Sequence, residues 1–159
     1  MPKFTTQRIV PYTPEQMFDL VADVERYPEF LPLCEGLTVH ARQPSIGSGK
    51  VAAAEGERIE ASMTVGYGPL RETFKVEVNL RHAQRHIAVR YLEGPFRRLD
   101  NTWDFLPHAN GCEVVFYIAY EFGSLPLQML MGSMFDRAFR RFAQSFEARA
   151  AHIYGPAGV

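Results

Sequence analysis

At 159 residues, 47% of them hydrophobic and 22% charged, the chain holds enough apolar side chains for one core and reads as a single domain over 1–159. A formal net charge of −1 excludes the broad positive field of a general nucleic-acid binder and leaves room only for local basic patches. No apolar run approaches the about 18 residues that cross a bilayer, and no charged leader precedes an apolar stretch, so a cytoplasmic protein is expected, at most peripheral on the inner face of the cell membrane.

Lys3 to Val10 has the composition of a first strand. A helix opens after it, with Thr13 as N-cap, Pro14 at the first helical position and Gln16 as capping-box partner; Met17, Phe18, Leu20 and Val21 form its apolar face. Pro28 and Pro32 then confine the chain to a short, turn-rich helical piece, Glu25 to Leu31. From Leu37 the apolar period becomes two. Strands are expected at Leu37 to Arg42, Lys50 to Val65, Arg71 to Leu80, His86 to Leu92, Leu99 to Leu106 and Cys112 to Phe122. Turns separate them at Ser45-Ile46-Gly47-Ser48-Gly49, Gly66-Tyr67-Gly68-Pro69, Gly94-Pro95 and Asn110-Gly111, and hairpins this short make an antiparallel sheet.

Alternation sends Ile59, Ala61, Met63, Val65, Phe74, Val76, Val78 and Leu80 to one face, followed by Ile87, Val89, Tyr91, Leu99, Trp103, Phe105, Val114, Phe116, Ile118, Tyr120 and Phe122. Charged and hydroxyl side chains take the other. The last element is a helix of about 30 residues and about 45 Å, capped by Ser124 with Pro126 in its first turn and stopped by Gly155-Pro156. Leu127, Leu130, Met131, Met134, Phe135, Ala138, Phe139, Phe142, Phe146 and Ile153 recur at helical spacing, opposite Asp136, Arg137, Arg140, Arg141, Gln144 and Glu147. The expected architecture is α+β: a curved antiparallel sheet of about seven strands wrapped around a long C-terminal helix, with two short helices after the first strand. Methionines and the Gly132-Ser133 pair on that helix favour an adaptable cavity wall.

Catalytic and metal chemistry find little support in the residue pattern. Cys34 and Cys112 have no CxxC or zinc-ligand spacing and read as isolated thiols. His82 and His86 flank a strand-joining turn, and His40, His108 and His152 fall at strand edges, loops or the final helical turn. There is no nucleophile elbow or Ser/His/Asp order, and Gly47-Ser48-Gly49 lacks the third glycine and following helix of a dinucleotide fingerprint. No catalytic residue, metal or cofactor is assigned, and the chain is read as no enzyme.

Two segments carry a family resemblance. The run from Phe18 through Asp23-Val24-Glu25-Arg26-Tyr27-Pro28-Glu29-Phe30-Leu31-Pro32-Leu33 to Cys34 resembles a signature of the coenzyme Q-binding Coq10 family and its bacterial RatA-type relatives, in the START-like, polyketide-cyclase-type helix-grip superfamily. Gly94-Pro95-Phe96-Arg97-Arg98-Leu99, leading into Asn101-Thr102-Trp103-Asp104-Phe105, is similar to a second signature of that family, and the likeness extends from Lys3 to Ile153. The resemblance implies a non-catalytic, START-like lipid-binding domain that holds ubiquinone or a related isoprenoid lipid and supports respiratory electron transport as carrier or chaperone. Its implied partners are a transient membrane surface and respiratory or quinone-synthesis proteins. Bacterial members are described as toxins blocking association of ribosomal subunits, which implies the large ribosomal subunit as an alternative partner. A cyclase/dehydratase-like enzyme is the third reading. Mitochondrial relatives carry a targeting extension; its lack here points to a bacterial protein or a processed form.

The cavity between strand face and helix stripe is the expected site. The nominated ligand-contacting residues are Phe30, Met63, Val65, Phe74, Val76, Tyr91, Phe96, Leu99, Asn101, Trp103, Phe116, Ile118, Leu127, Met131, Met134, Phe135 and Ala138. Tyr91, Asn101 and Trp103 are the candidates for polar contact with a quinone ring. Phe96 is expected at a loop tip, as a gate or a membrane contact, or else folded on the core. Tyr27 to Pro32 and Leu125-Pro126-Leu127 would form further edges of the entrance. Arg137, Arg140, Arg141 and Arg97-Arg98 would be the RNA contacts in the ribosomal reading, against a solvated face with the local pair Asp136–Arg140.

Overall fold

In this computed structural model, residues 3–44 and 56–155 are described. The expected turn Ser45 to Gly49, the start of the strand expected from Lys50, and Pro156 of the stop pair lie outside them. The period-two segments form one antiparallel sheet of seven strands: β1 (Lys3–Val10), β2 (Cys34–Pro44), β3 (Gly56–Tyr67), β4 (Leu70–Arg81), β5 (His86–Glu93), β6 (Phe96–His108) and β7 (Gly111–Phe122). Their order across the sheet is β1-β7-β6-β5-β4-β3-β2, so each consecutive pair from β2 to β7 is a neighbour and β1 returns beside β7. Helix α1 (Pro14–Ala22) and a 3₁₀ segment (Val24–Glu29) join β1 to β2, and helix α2 (Leu125–Tyr154) closes the chain.

The inward face is the one expected from alternation: Ile59, Ala61, Val76, Val78, Ile87, Leu99, Trp103, Phe116 and Tyr120 are all buried. Strand ends differ from the expectation by up to three residues, and the largest differences accompany bulges. Bulges at Cys34/Gly36 and Val39/Ala41 let β2 run three residues earlier and two later than its alternating centre, Leu37 to Arg42. A bulge between Phe96 and Arg98 starts β6 at Phe96, three residues before Leu99. These irregularities bend the sheet into a trough.

The signals at α1 act as expected. Thr13 Oγ1 accepts from the Gln16 N–H at 3.0 Å, and the Gln16 side chain accepts from the Thr13 N–H at 2.9 Å, which satisfies two donors that the first turn leaves without partners. Met17, Phe18, Leu20 and Val21 are buried beneath it. In α2, Ser124 Oγ accepts from the Leu127 N–H at 3.3 Å. The far end of α2 is tied down by Tyr12 donating to the Gly155 carbonyl at 2.9 Å, Tyr154 donating to the Gln16 carbonyl at 3.0 Å, and Arg8 Nε on Glu147 at 2.9 Å.

Four aromatic contacts set how α2 lies in the trough. Phe135 meets Phe122 at 5.4 Å between ring centroids, Phe139 meets Tyr120 at 5.0 Å, Phe142 meets Phe116 at 6.1 Å and Phe146 meets Trp103 at 5.0 Å. Two helix residues of the expected stripe stay out of the core: Leu130 and Ile153 are exposed, because the stripe is narrower at both ends of the helix than its spacing implies.

Phe96 does not sit at a loop tip. Only 5% exposed, it packs against Phe74, Tyr91, Tyr120, Phe122 and Phe135, with centroids 4.9 to 6.1 Å away. The preceding Gly94 adopts φ +146°, and a Cβ there would lie 2.5 Å from that of Phe74, so the turn admits glycine alone. Truncation of Phe96 to alanine is expected to cost about 3–5 kcal/mol of unfolding free energy, read by urea denaturation. Thr13→Ala, which removes a cap and no core contact, is expected to cost about 1 kcal/mol in the same measurement.

Candidate ligand cavity

Between α2 and the sheet lies a slot with a free volume of about 80 Å³, lined by 23 of the described residues. Its sheet wall is built by alternate residues of six strands, from Leu37, Ala61 and Met63 through Val76, Val78 and Val89 to Trp103 and Ile118. Its helix wall is Phe135, Ala138, Phe139, Phe142 and Phe146. Ile118 and Ala138 are smaller than the rings before and after them in the aromatic ladder, and both border the void. The third side is the segment between α1 and β2, which contributes Val24, Tyr27, Leu31, Pro32 and Leu33. Tyr27, Pro32, Leu33, Leu37, Met63, Val89, Asn101 and Phe142 are the half-buried members of the lining, and the others are buried.

The segment that forms this third side is held in an uncommon conformation. Leu33 has φ +66°, a region that costs a branched residue free energy, and its carbonyl accepts from the Gly66 N–H at 3.0 Å. The Tyr27 hydroxyl donates to the Val21 carbonyl, and burial pushes the Tyr27 phenol far above its ordinary range, so it stays neutral. Ion pairs hold both flanks: Arg42 of β2 on Glu25 at 2.6 Å, and Arg149 of α2 on Glu29 at 2.7 Å, with the Arg149 guanidinium 5.1 Å from the Phe30 ring centroid.

No charged side chain lines the slot among the described residues. Its side-chain polar groups are the Asn101 amide, the Trp103 indole and the Tyr27 hydroxyl. Asn101 Nδ2 donates to the Tyr117 carbonyl at 2.8 Å, which leaves the amide oxygen as its acceptor.

The structure places ten of the nominated residues on this wall: Met63, Val65, Phe74, Val76, Leu99, Asn101, Trp103, Ile118, Phe135 and Ala138. Seven lie elsewhere. Tyr91 Oη accepts from the Phe96 N–H at 3.0 Å, so Tyr91 and Phe96 close the space where β5 and β6 part. Phe116 is fully buried between Trp103, Phe4 and Phe142. Phe30 packs outside the void, with its ring 5.1 Å from Phe146 and 6.1 Å from Tyr27. Leu127, Met131 and Met134 precede the slot along α2. There Tyr120 donates to the Gly132 carbonyl at 3.3 Å and that turn of the helix rests on β7. The adaptable wall expected from the methionines is therefore an aromatic one. Phe139, Phe142, Phe146, Ala61, Val78, Ile87 and Val89 were legible as inward-facing but not as lining, because depth in the trough is a property of the packed sheet.

The expected turn at His82 is present, and the His82 ring rests on Phe18 at 5.0 Å while His86 Nδ1 lies 2.7 Å from Asp104 Oδ1. Among the described residues no three His, Cys, Asp or Glu side chains gather as a metal site. Cys34 and Cys112 are free and buried, and burial raises both thiols to about 11, which keeps them protonated at neutral pH. No helix among the described residues is long and apolar enough to cross a membrane.

Residues 10–147 match the family described as polyketide cyclase / dehydrase and lipid transport. The chain is 31% identical to the ribosome association toxin RatA of Vibrio cholerae, over 98% of its own length and 99% of that protein. It is 27% identical to the mitochondrial coenzyme Q-binding protein COQ10 homolog B of Xenopus laevis, over 96% of its own length and 59% of that protein. Among solved structures, the 18 kDa protein CC1736 of Caulobacter crescentus is similar with a TM-score of 0.75 and 34% identity, covering 98% of this chain and 100% of that one. A seven-stranded antiparallel sheet gripping one long helix and a sequence match over most of its length agree: the chain belongs to the polyketide cyclase / dehydrase and lipid transport family, with the START-like helix-grip fold, among its Coq10 and RatA relatives.

Proposed function

We propose that this protein binds an isoprenoid lipid, ubiquinone or a close relative, in the slot between α2 and the sheet, and serves as a carrier or chaperone without catalysing a reaction. The observation that carries the reading is the lining: a continuous apolar wall with no charged side chain and three side-chain polar groups. Burial of an apolar chain there is favourable by about 25 cal/mol per Å², whereas a charged ligand would lose its hydration without a partner. Similarity to a coenzyme Q-binding protein supports the head group. An enzyme of the acid–base type would need a titratable group at the reacting atom, and neither Asp, Glu, Lys nor His borders the void among the described residues.

The free volume of about 80 Å³ sets a condition on binding. A slot of that size accommodates only a few carbons of a chain, so its lining must part to admit the rest. The segment between α1 and β2 is the side that moves in this reading, because Leu33 is already strained and the exposed Arg42–Glu25 pair is worth only about 0–1 kcal/mol.

A second reading rests on a different surface. The ribosome association toxins are similar to this chain, and Arg137 and Arg141 of α2 are exposed with no ion pair among the described residues. Arg140 is committed to Asp136 at 3.0 Å and to the Phe4 ring at 4.7 Å. The slot and these arginines lie on opposite faces of α2, so variants separate the two readings.

Val76→Glu and Met63→Asp, purified without detergent, are expected to lose co-purifying or added quinone measured by mass spectrometry of solvent extracts, while keeping the wild-type circular dichroism spectrum. Retention of quinone in well-folded variants would overturn the lipid reading. Arg137→Glu/Arg141→Glu is expected to leave quinone retention unchanged. If the ribosomal reading holds, wild-type protein reduces joined ribosomes in sucrose gradients at low salt, and the double variant does not. No wild-type effect on subunit association at low salt would remove that reading.

A further inference from the structure

The outward face of α2 changes character partway along. From Asp136 onward it is charged, but residues 123–135 contain no acidic or basic side chain at all. Within that stretch Leu125, Met129 and Leu130 are 70%, 79% and 61% exposed. With Pro126, also exposed, they span about 140° of the helix surface at 100° per residue. The opposite side of the same turns carries the buried Met131, Met134 and Phe135, so apart from Gln128 and Ser133 these first turns are apolar on both sides, while only the inward side has a partner among the described residues. A solvated surface does not require this, and a contiguous apolar patch on a protein of this size marks a contact.

Sheet topology says what stands beside the patch. In this antiparallel order the β3–β4 turn, the β5–β6 turn, the start of β2 and the β7–α2 connection all lie at one end of the sheet. The Gly123 N–H donates to the Pro95 carbonyl at 2.7 Å, joining the helix start to the β5–β6 turn. At this end Arg97 is the bulged residue between Phe96 and Arg98, exposed and without an ion pair among the described residues, and Arg98 is 3.8 Å from Asp100. Cavity-lining Leu33 and Val65 belong to the same end, and Phe135, the first lining residue of α2, follows Leu130 by five residues, about 8 Å along the axis.

We infer that the first turns of α2, with Arg97 and Arg98 beside them, are a docking surface for an anionic phospholipid membrane, placing the cavity end of the protein against the bilayer. The inference rests on the lipid-binding reading for its purpose and on the surface itself for its chemistry. A specific protein partner is recognised through about one hydrogen bond per 100–200 Å², and Leu125, Pro126, Met129 and Leu130 offer none through their side chains. A bilayer asks for none: apolar side chains enter the acyl boundary while guanidinium groups remain with the headgroup phosphates.

Flotation of the full-length protein with vesicles tests this, comparing phosphatidylcholine alone with phosphatidylcholine containing phosphatidylglycerol. The wild type floats with the anionic vesicles. Leu125→Ser/Met129→Ser binds at least about tenfold more weakly, since two apolar side chains no longer leave water. Arg97→Gln/Arg98→Gln loses about fivefold per charge on anionic vesicles and little on neutral ones. Ala138→Phe, which fills the slot, loses quinone and floats like the wild type, so failure of the cavity and failure of the docking surface read separately. Equal flotation of the Leu125/Met129 variant, or a wild type that floats with neither vesicle, overturns the inference. So does a wild-type dimer by light scattering that this variant makes monomeric with flotation unchanged, which would assign the patch to a second copy of the chain.

Discussion

The helix α2 is held in the sheet by a ladder of rings, and the remaining structure is arranged around it. Phe135, Phe139 and Phe142 descend α2 at spacings of four and three as Phe122, Tyr120 and Phe116 descend β7, and Phe146 then meets Trp103 of β6. Each such pair contributes about 0.5–1.5 kcal/mol beyond the area it buries. The geometry also forces a mismatch. Alternate residues along a strand advance about 6.6 Å and one helical turn about 5.4 Å, so the two rows cannot stay in contact at every step. Ile118 and Ala138 occupy steps within the ladder where no ring is present, and the slot opens there. The slot borders the ladder where these two small side chains stand.

What encloses the slot is of a different kind from what builds it. The walls are strand and helix, with regular hydrogen bonding and buried rings. The remaining side is a 3₁₀ segment and a short connection held by the Tyr27 hydroxyl and two ion pairs, with one residue at positive φ. Rigid walls with one less regular side suit a site whose occupant must enter and leave whole, and such segments belong to the low-stability end of a fold. Among the described residues the lining carries no Asp, Glu, Lys, Arg or His side chain.

Three surfaces of different chemistry are thereby separated in space on one small domain. The interior of α2 faces the slot, its outward charged face carries Arg137 and Arg141, and its outward first turns are apolar. A single helix supplies all three because side chains 100° apart along it report to different surroundings. The similarity of this chain to proteins named for coenzyme Q and to proteins named for the ribosome is compatible with one fold serving more than one partner, since function follows from such faces and not from the architecture.

Much of this was legible from residue order alone. Period two in the strands, the Thr13 and Ser124 caps and the 3.6-residue stripe of α2 are local signals, and each acts in the structure as it does in the sequence. Those signals determined the fold class, the inward face and the apolar character of the site. The tertiary structure decided which inward residues border a void. Phe96, placed by its Gly-Pro neighbours at an apparent loop tip, is drawn into the core because five aromatic rings surround it, and those rings come from strands and a helix far apart in the chain. Met131 and Met134 share the stripe of Phe135 but fall on the turn that Tyr120 ties to β7, so they pack as core while Phe135 and Ala138 line the slot. Periodicity specifies the direction in which a side chain points; only the register of helix against sheet specifies what it meets there.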